Sequence, residues 1–414
     1  MLTKIKNNLS TFLIAISGVI ARFVAMIYTS PKVFQHDVMY EYGHLDYAIY
    51  IFRNWNLPNH NIKEFSQPPL NAFMQAIVMK ILSPFIRYSK IFYTNLYEPT
   101  KILSFLYSCI TIYIIYKILK EFDLSKKVRN TIFAIVTLYP GIIIMSTQYS
   151  NDNISYMFFY LSLLLTIRWA KNHNLKTIIL LAISIGVGML SKISVGLIAF
   201  ITGPMMLAVL IKSNDKKKIF IQLLIFAMIV FPLGLSYAIR NLILFKQPIG
   251  SIYEVAINTK LNLRKYSYTI FDRFLSIPLD KIFEKENGIY HNYFEYNVWI
   301  DLIKTSTFDE FHIGKNTNME VFLRLLYITN IAFYIASFIS IIVTIVKVIK
   351  SITIKVKYNN SLLNFRIICI MLFILAIFAY LYFNIRYPYS CNSNYRYISY
   401  ITFAMAGCLA TAIS

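Results

Sequence analysis

A small set of polar residues in an otherwise apolar chain has the types and positions to do chemistry. His36, Asp37 and Glu41 follow the first apolar run, Gln67 precedes Pro68-Pro69, Asn151 and Asp152 separate two later runs, and Lys192 sits in the short turn LSKIS. Arg240 is read as closing another apolar run, and Arg396 with Tyr397 opens the last one. A carboxylate with an ordinary pKa is ionised at neutral pH and can take a proton from a hydroxyl group. Lysine and arginine can hold a phosphate and offset the charge that builds on it as it leaves. The set therefore suits displacement of a phosphate by a hydroxyl. Each of these residues alone is more often a solvated loop charge, and it is their common place at one set of run ends that raises the group. Asp37 is the favoured base because it lies closest to the end of the first run. Glu41 is the second choice, and Asp46 is read as capping or packing a helix.

The elements that would position these residues are membrane spans. The 414 residues are 57% hydrophobic and 14% charged, with a mean hydropathy of +0.56, whereas a soluble domain carries about 25% charged residues. Runs long enough to cross a bilayer recur along the chain. The net charge of +22 would suit nucleic acid, but the basic residues cluster in short loops between apolar runs. That is the positive-inside pattern, and no nucleic-acid partner is expected. Cys109, Cys369 and Cys408 lie in apolar runs and Cys391 stands alone in a loop, which gives no disulfide framework.

With the basic N-terminus placed in the cytoplasm, spans are predicted near residues 10–28, 100–119, 131–148, 154–170, 176–190, 195–211, 219–239, 321–346, 365–385 and 397–413. The expectation is an all-α polytopic bundle of about ten spans forming a single integral membrane domain over 1–414, with both termini inside. The apolar segment 69–86 is predicted to lie along the outer surface. Only then do the basic clusters within 117–129, 171–176, 212–218 and 347–357 all fall inside. Two outer segments result, 29–99 and 240–320, and in the second the acidic and basic residues are equal in number. There NLRKYSYTIFDRFLSIPLDKIFE is expected to form amphipathic or interfacial helices. Arg22, within the first span, is expected to snorkel. No Asp or Glu falls inside a predicted span, which weighs against an ion-coupled transporter.

Several short motifs carry a family resemblance. DYAIYIFRNWNLPNHN, with its Tyr47-Ala48 pair, is followed by Gln67 and then Pro68-Pro69-Leu70. This order resembles the first outer loop of the GT-C superfamily of membrane glycosyltransferases, in particular the protein O-mannosyltransferase and lipid A aminoarabinose transferase branch. YSNDN at 149–153, GVGMLSKIS at 186–194, RNLILFKQPIG at 240–250 and NYRYI at 394–398 resemble segments of other bacterial members. The chain departs from the family in carrying His36-Asp37 where an Asp-Glu pair is frequent, and Gln67 where a cation or His is usual.

The resemblance implies juxtamembrane helices in the first outer loop and an active site on the extracytoplasmic face of the cell membrane. It implies a glycosyltransferase that takes a sugar from a polyprenyl-phosphate donor and passes it, by a single inverting displacement, to a cell-envelope acceptor: a glycan, a lipid or a protein. Asp37 or Glu41 would be the base. His36, Gln67, Asn151, Asp152, Lys192, Arg240, Arg396 and Tyr397 would bind substrate. Membrane lipids are the remaining partners. No tightly bound cofactor is expected, since metal-ligand spacing is confined to His36, Asp37 and Glu41. The rival readings are a lipid-linked glycan flippase, which would need charges lining the membrane interior, and a polysaccharide polymerase, which would use a large outer loop such as 240–320.

Overall fold

The computed structural model describes residues 2–29, 41–85, 98–259, 261–278, 295–309, 320–353 and 360–413. His36 and Asp37 lie outside the described residues. Fourteen α-helices occur among those described: α1 (Leu2–Tyr28), α2 (His44–Asn54), α3 (Leu70–Leu82), α4 (Lys101–Lys120), α5 (Lys126–Leu138), α6 (Pro140–Met145), α7 (Asp152–Asn172), α8 (Leu175–Met189), α9 (Ala199–Lys212), α10 (Lys216–Phe245), α11 (Val298–Phe308), α12 (Glu320–Thr353), α13 (Asn360–Arg386) and α14 (Ile401–Ile413). Short helical turns join several of them. No strand occurs among the described residues, only one isolated antiparallel bridge between Asn262 and Tyr389. The fold is all-α.

Among the described residues, six helical segments are long and apolar enough to cross a membrane: Leu9–Tyr28, Glu98–Lys120, Ile193–Lys212, Lys216–Phe245, Val321–Thr353 and Ser361–Arg386. The protein is a multi-pass membrane protein. Each of the other four predicted spans contains a helix, but not one that meets both length and apolarity. The run at 131–148 breaks after Leu138, and Tyr139 is extended at φ −65°, ψ 126°. Pro140 is the reason, because its ring drives the preceding residue out of the helical region. Helix α3 has 13 residues, which spans about 20 Å, less than a bilayer core.

Two further expectations need correction. Helix α10 does not close at Arg240 but runs on to Phe245, where Lys246 ends it in the left-handed region at φ 57°. The 262–284 stretch forms only short turns at Leu263–Lys265 and Phe271–Leu275 where it is described. Its backbone is engaged elsewhere: the Leu263 N–H donates to Pro388 O at 2.8 Å and the Ser390 N–H to Leu261 O at 3.0 Å.

The described chain packs as two compact units. Unit I contains Met1–Ala21, Phe122–Met145 and Glu254–Ser414; unit II contains Arg22–Glu121 and Ser146–Tyr253. In unit I, α14 is buried on nearly all sides, as befits a helix that is apolar all round. A Cβ added to Gly407 would lie 2.4 Å from Cys369 Sγ, so α13 and α14 meet closely at that glycine. Lys347 Nζ and Arg366 Nη2 donate to Ala412 O and Thr411 O at 2.9 and 2.8 Å. They satisfy carbonyls that the end of α14 would otherwise leave without partners.

Unit II is built on α7, α8 and α10. The glycines of GVGM explain their closeness. A Cβ at Gly186 would stand 2.9 Å from Leu233, one at Gly188 2.7 Å from Val195, and one at Gly234 2.6 Å from Met189. Small residues at helix contacts let backbones approach, which is how membrane helices gain packing energy. Arg22 does not snorkel. It is fully buried, and its Nε donates to Ser108 Oγ at 2.8 Å.

Candidate active site

The motif QPPL begins the site. Pro68 and Pro69 have no N–H to donate, so the helix starts only at Leu70, with Pro69 as its cap. The Leu70 N–H donates to Leu190 O at 3.0 Å, which ties the start of α3 to the end of α8. Asn71 and Gln75, on the first turns of α3, then reach the backbone of YSNDN. Asn71 Nδ2 donates to Ser150 O at 3.2 Å and Gln75 Nε2 to Tyr149 O at 3.0 Å. Ser104 Oγ, from α4, donates to Gln148 O at 2.5 Å. Two helices thus fix the stretch that carries Asn151 and Asp152.

The side chains of four predicted residues meet here. Asn151 Nδ2 donates to Gln67 Oε1 at 2.7 Å and to Ser191 O at 3.0 Å. Lys192 Nζ pairs with Asp152 Oδ1 at 2.5 Å, and Asp152 is only 2% exposed. Asp152 opens α7, where the positive end of the helix favours a carboxylate. Lys192 is held by its own turn, because its N–H and that of Ser191 both donate to Gly188 O. Residues from three distant parts of the sequence thereby form one buried polar cluster.

Two members of this cluster were not singled out from the sequence. Glu64 lies in the turn Lys63–Ser66, where its Oε2 accepts from Gln67 Nε2 at 2.5 Å and stands 3.4 Å from His44 Nε2. His44, at the start of α2, is 8% exposed. The line His44–Glu64–Gln67–Asn151 is therefore continuous. Glu64 could have been suspected from its position three residues before Gln67 in EFSQ, whereas nothing local marks His44.

The other sequence candidates fall in different surroundings. Glu41 is exposed, and its carbonyl accepts from Lys63 Nζ at 3.0 Å. Asp46 accepts the Tyr42 N–H at 2.9 Å in the first turn of α2, the capping role expected of it. Arg240 holds a loop: Nη2 donates to Pro58 O at 2.7 Å and Nη1 to Asn241 Oδ1 at 3.1 Å. Its neighbours act on the same segment. Asn241 Nδ2 donates to Ser66 O at 3.0 Å, Tyr237 OH donates to Phe65 O at 2.8 Å, and the Tyr237 and Tyr47 hydroxyls meet at 3.0 Å. Burial and the nearby Tyr237 push the Tyr47 hydroxyl well above its usual pKa, so it stays a neutral donor and acceptor. Arg396 and Tyr397 belong to unit I. Arg396 is 4% exposed, in the turn Tyr395–Ile398, with its guanidinium 5.2 Å from the Tyr397 ring. Among the described residues, no three His, Cys, Asp or Glu side chains cluster as metal ligands do.

The family profile described as dolichyl-phosphate-mannose-protein mannosyltransferase matches residues 66–235. That stretch contains Gln67, Asn151, Asp152 and Lys192, the four predicted residues that meet in unit II. The match is to a membrane glycosyltransferase family and covers less than half of the 414 residues. Two solved structures of ArnT from Cupriavidus metallidurans are also similar. The apo form aligns at 13% identity and a TM-score of 0.42, over 97% of this chain and 76% of ArnT. The form bound to undecaprenyl phosphate aligns at 11% identity and a TM-score of 0.42, over 98% and 78%. No curated protein matches the sequence. The matched segment and the buried charged cluster of unit II therefore coincide.

Proposed function

We propose that this protein is a membrane glycosyltransferase that takes a sugar from a polyprenyl-phosphate donor and passes it to a hydroxyl acceptor of the cell envelope, outside the cytoplasmic membrane. The observation that carries the reading is the Asp152–Lys192 pair with Asn151 and Gln67, all inside the matched segment. The acceptor oxygen attacks the anomeric carbon as the bond from that carbon to the lipid phosphate breaks. The hydroxyl proton goes to a carboxylate of the first outer loop, Asp37 in the first instance and Glu41 in the second. The leaving group departs as the lipid phosphate, which needs no strong general acid. Lys192 offsets its charge, with Asp152 as the counter-ion that holds the ammonium in place when the site is empty. In unit I, taken by itself, Arg396 is proposed as a cation for a group of phosphate type. Arg240 serves the site through the 58–67 segment that it and its neighbours hold.

The test uses purified polyprenyl-phosphate sugar, with donor binding measured on the same preparations. Asp37→Asn keeps the shape of the side chain and cannot accept the proton, so transfer is abolished while donor binding is retained. Glu41→Gln is milder. Normal transfer in both variants would sink the mechanism. For the side of the membrane, single cysteines at Asp272 and Lys216 should label from opposite faces with an impermeant thiol reagent.

A further inference from the structure

Asp309 occupies a position that suits glycine far better. It follows α11 at φ 51°, ψ −126°, near the first central position of a type II′ turn, where glycine is the usual residue. Non-glycine residues are strained there, and such strain collects at functional sites. The residue is only 8% exposed, and burial is costly for a charged side chain. It also stands at the C-terminal end of a helix, where the partial negative charge of the backbone opposes it. Glycine would remove all three penalties and keep the turn. The backbone therefore has no need of an aspartate at this point, and the reason for one lies in what its side chain holds.

What it holds is the turn that carries Arg396. Asp309 Oδ1 accepts from Asn394 Nδ2 at 2.9 Å, and Asn394 Oδ1 accepts the Arg396 N–H at 2.9 Å. An Asn amide can present either end. With a carboxylate in front of its nitrogen, Asn394 must turn its oxygen toward Arg396. One turn earlier on α11, Thr305 Oγ1 accepts the Tyr395 N–H at 2.9 Å. Two successive residues of the turn are thus registered on the end of one helix. The Arg396 guanidinium beyond them is buried, with Nη2 donating to Tyr397 OH at 3.3 Å.

We infer that Asp309 is a positioning residue: through Asn394 it fixes the backbone of Arg396 and so the aim of its guanidinium at an anionic group of phosphate type. This rests on the phosphate role proposed above for Arg396. A guanidinium kept in one orientation can meet phosphate oxygens without first being ordered.

The experiment measures binding of undecaprenyl phosphate to the full-length protein in detergent, with thermal denaturation in parallel. Asp309→Gly should unfold at the same or a higher temperature, because the strain is gone, yet bind the lipid about tenfold more weakly. Asp309→Asn keeps the acceptor oxygen and tolerates the positive φ, and should stay within about threefold of wild type. Arg396→Ala should lose at least as much affinity as Asp309→Gly. Wild-type binding by Asp309→Gly beside a weakened Arg396→Ala would overturn the inference and leave the phosphate reading standing. Asp309→Asn as weak as Asp309→Gly would also overturn it, because the charge itself would then matter. Wild-type binding by Arg396→Ala would remove the phosphate role of Arg396, and the positioning role with it.

Discussion

Two buried polar networks, one in each unit, are made of different chemistry. In unit II the cluster contains ionisable pairs, Lys192 with Asp152 and His44 with Glu64, joined through the amides of Gln67 and Asn151. In unit I the network around Asn297 and Asn330 consists of neutral groups. Asn297 Oδ1 accepts the N–H groups of Trp299 and Ile300, while its Nδ2 donates to Asp272 O and Ser276 O. Asn330 Nδ2 donates to Ile303 O, Ser306 Oγ and Thr307 Oγ1, and its Oδ1 accepts from Tyr139 OH. Neutral amides whose bonds are all filled hold distant segments in one arrangement and have little left to offer a ligand. A buried ion pair differs, because an incoming anion can compete with the carboxylate for the cation. On the function proposed above, the neutral network serves shape and the charged one chemistry.

The largest effect should come from Lys192. Lys192→Met leaves Asp152 buried without its cation, which should cost about 3–5 kcal/mol of stability, and should slow transfer by roughly two to three decades. The double variant Lys192→Met/Asp152→Asn should regain most of the stability and none of the transfer. Thermal denaturation and transfer rates on the three proteins decide it, and recovery of both together would make the pair structural and erase the contrast.

Asn297→Ala probes the other side. It removes the cap of α11 and takes a donor from the Ser276 carbonyl, while the Asp272 carbonyl keeps Ser276 Oγ, a loss of about 2–4 kcal/mol. Transfer per folded molecule should hold near wild type. A fall in specific activity without a fall in melting temperature would show that the neutral network also takes part in the reaction.

A small effect calibrates the charged side. Glu121 accepts from Arg168 Nε at 2.7 Å and from Lys171 Nζ. Burial pushes its carboxyl upward, but the hydrogen bonds from Arg168 and Lys171 outweigh that and hold it below its ordinary value of 4.5. A depressed carboxyl stabilises the fold above its unfolded value, and the gain fades as the pH falls through the lowered one. Both basic partners are about two-fifths exposed, so the gain should stay within about 1 kcal/mol. Wild type should therefore lose slightly more stability than Glu121→Gln as the pH drops below about 4.5; parallel curves would remove the pair from the account.

Much was legible in the sequence. Apolar runs and basic loops determined the all-helical membrane fold, since hydrocarbon leaves the backbone no partner but itself. Pro-Pro-Leu marked the start of α3, and Gln67, Asn151, Asp152 and Lys192, picked out by residue type and by their place at run ends, come together in one cluster. Other features were settled only by packing. Arg22 reads as a lone charge in a span, yet the reach of Ser108 from α4 gives it a buried partner. Arg240 reads as a free cation at a helix end, but α10 continues beyond it, and the carbonyl of Pro58 takes its guanidinium. Glu64 and His44 joined the site because a short turn and a helix start, 20 residues apart in number, fold onto one another. Hydropathy and residue type act locally along the chain and so can be read from it. Which donor meets which acceptor depends on segments far apart in sequence, and three-dimensional packing alone brings those together.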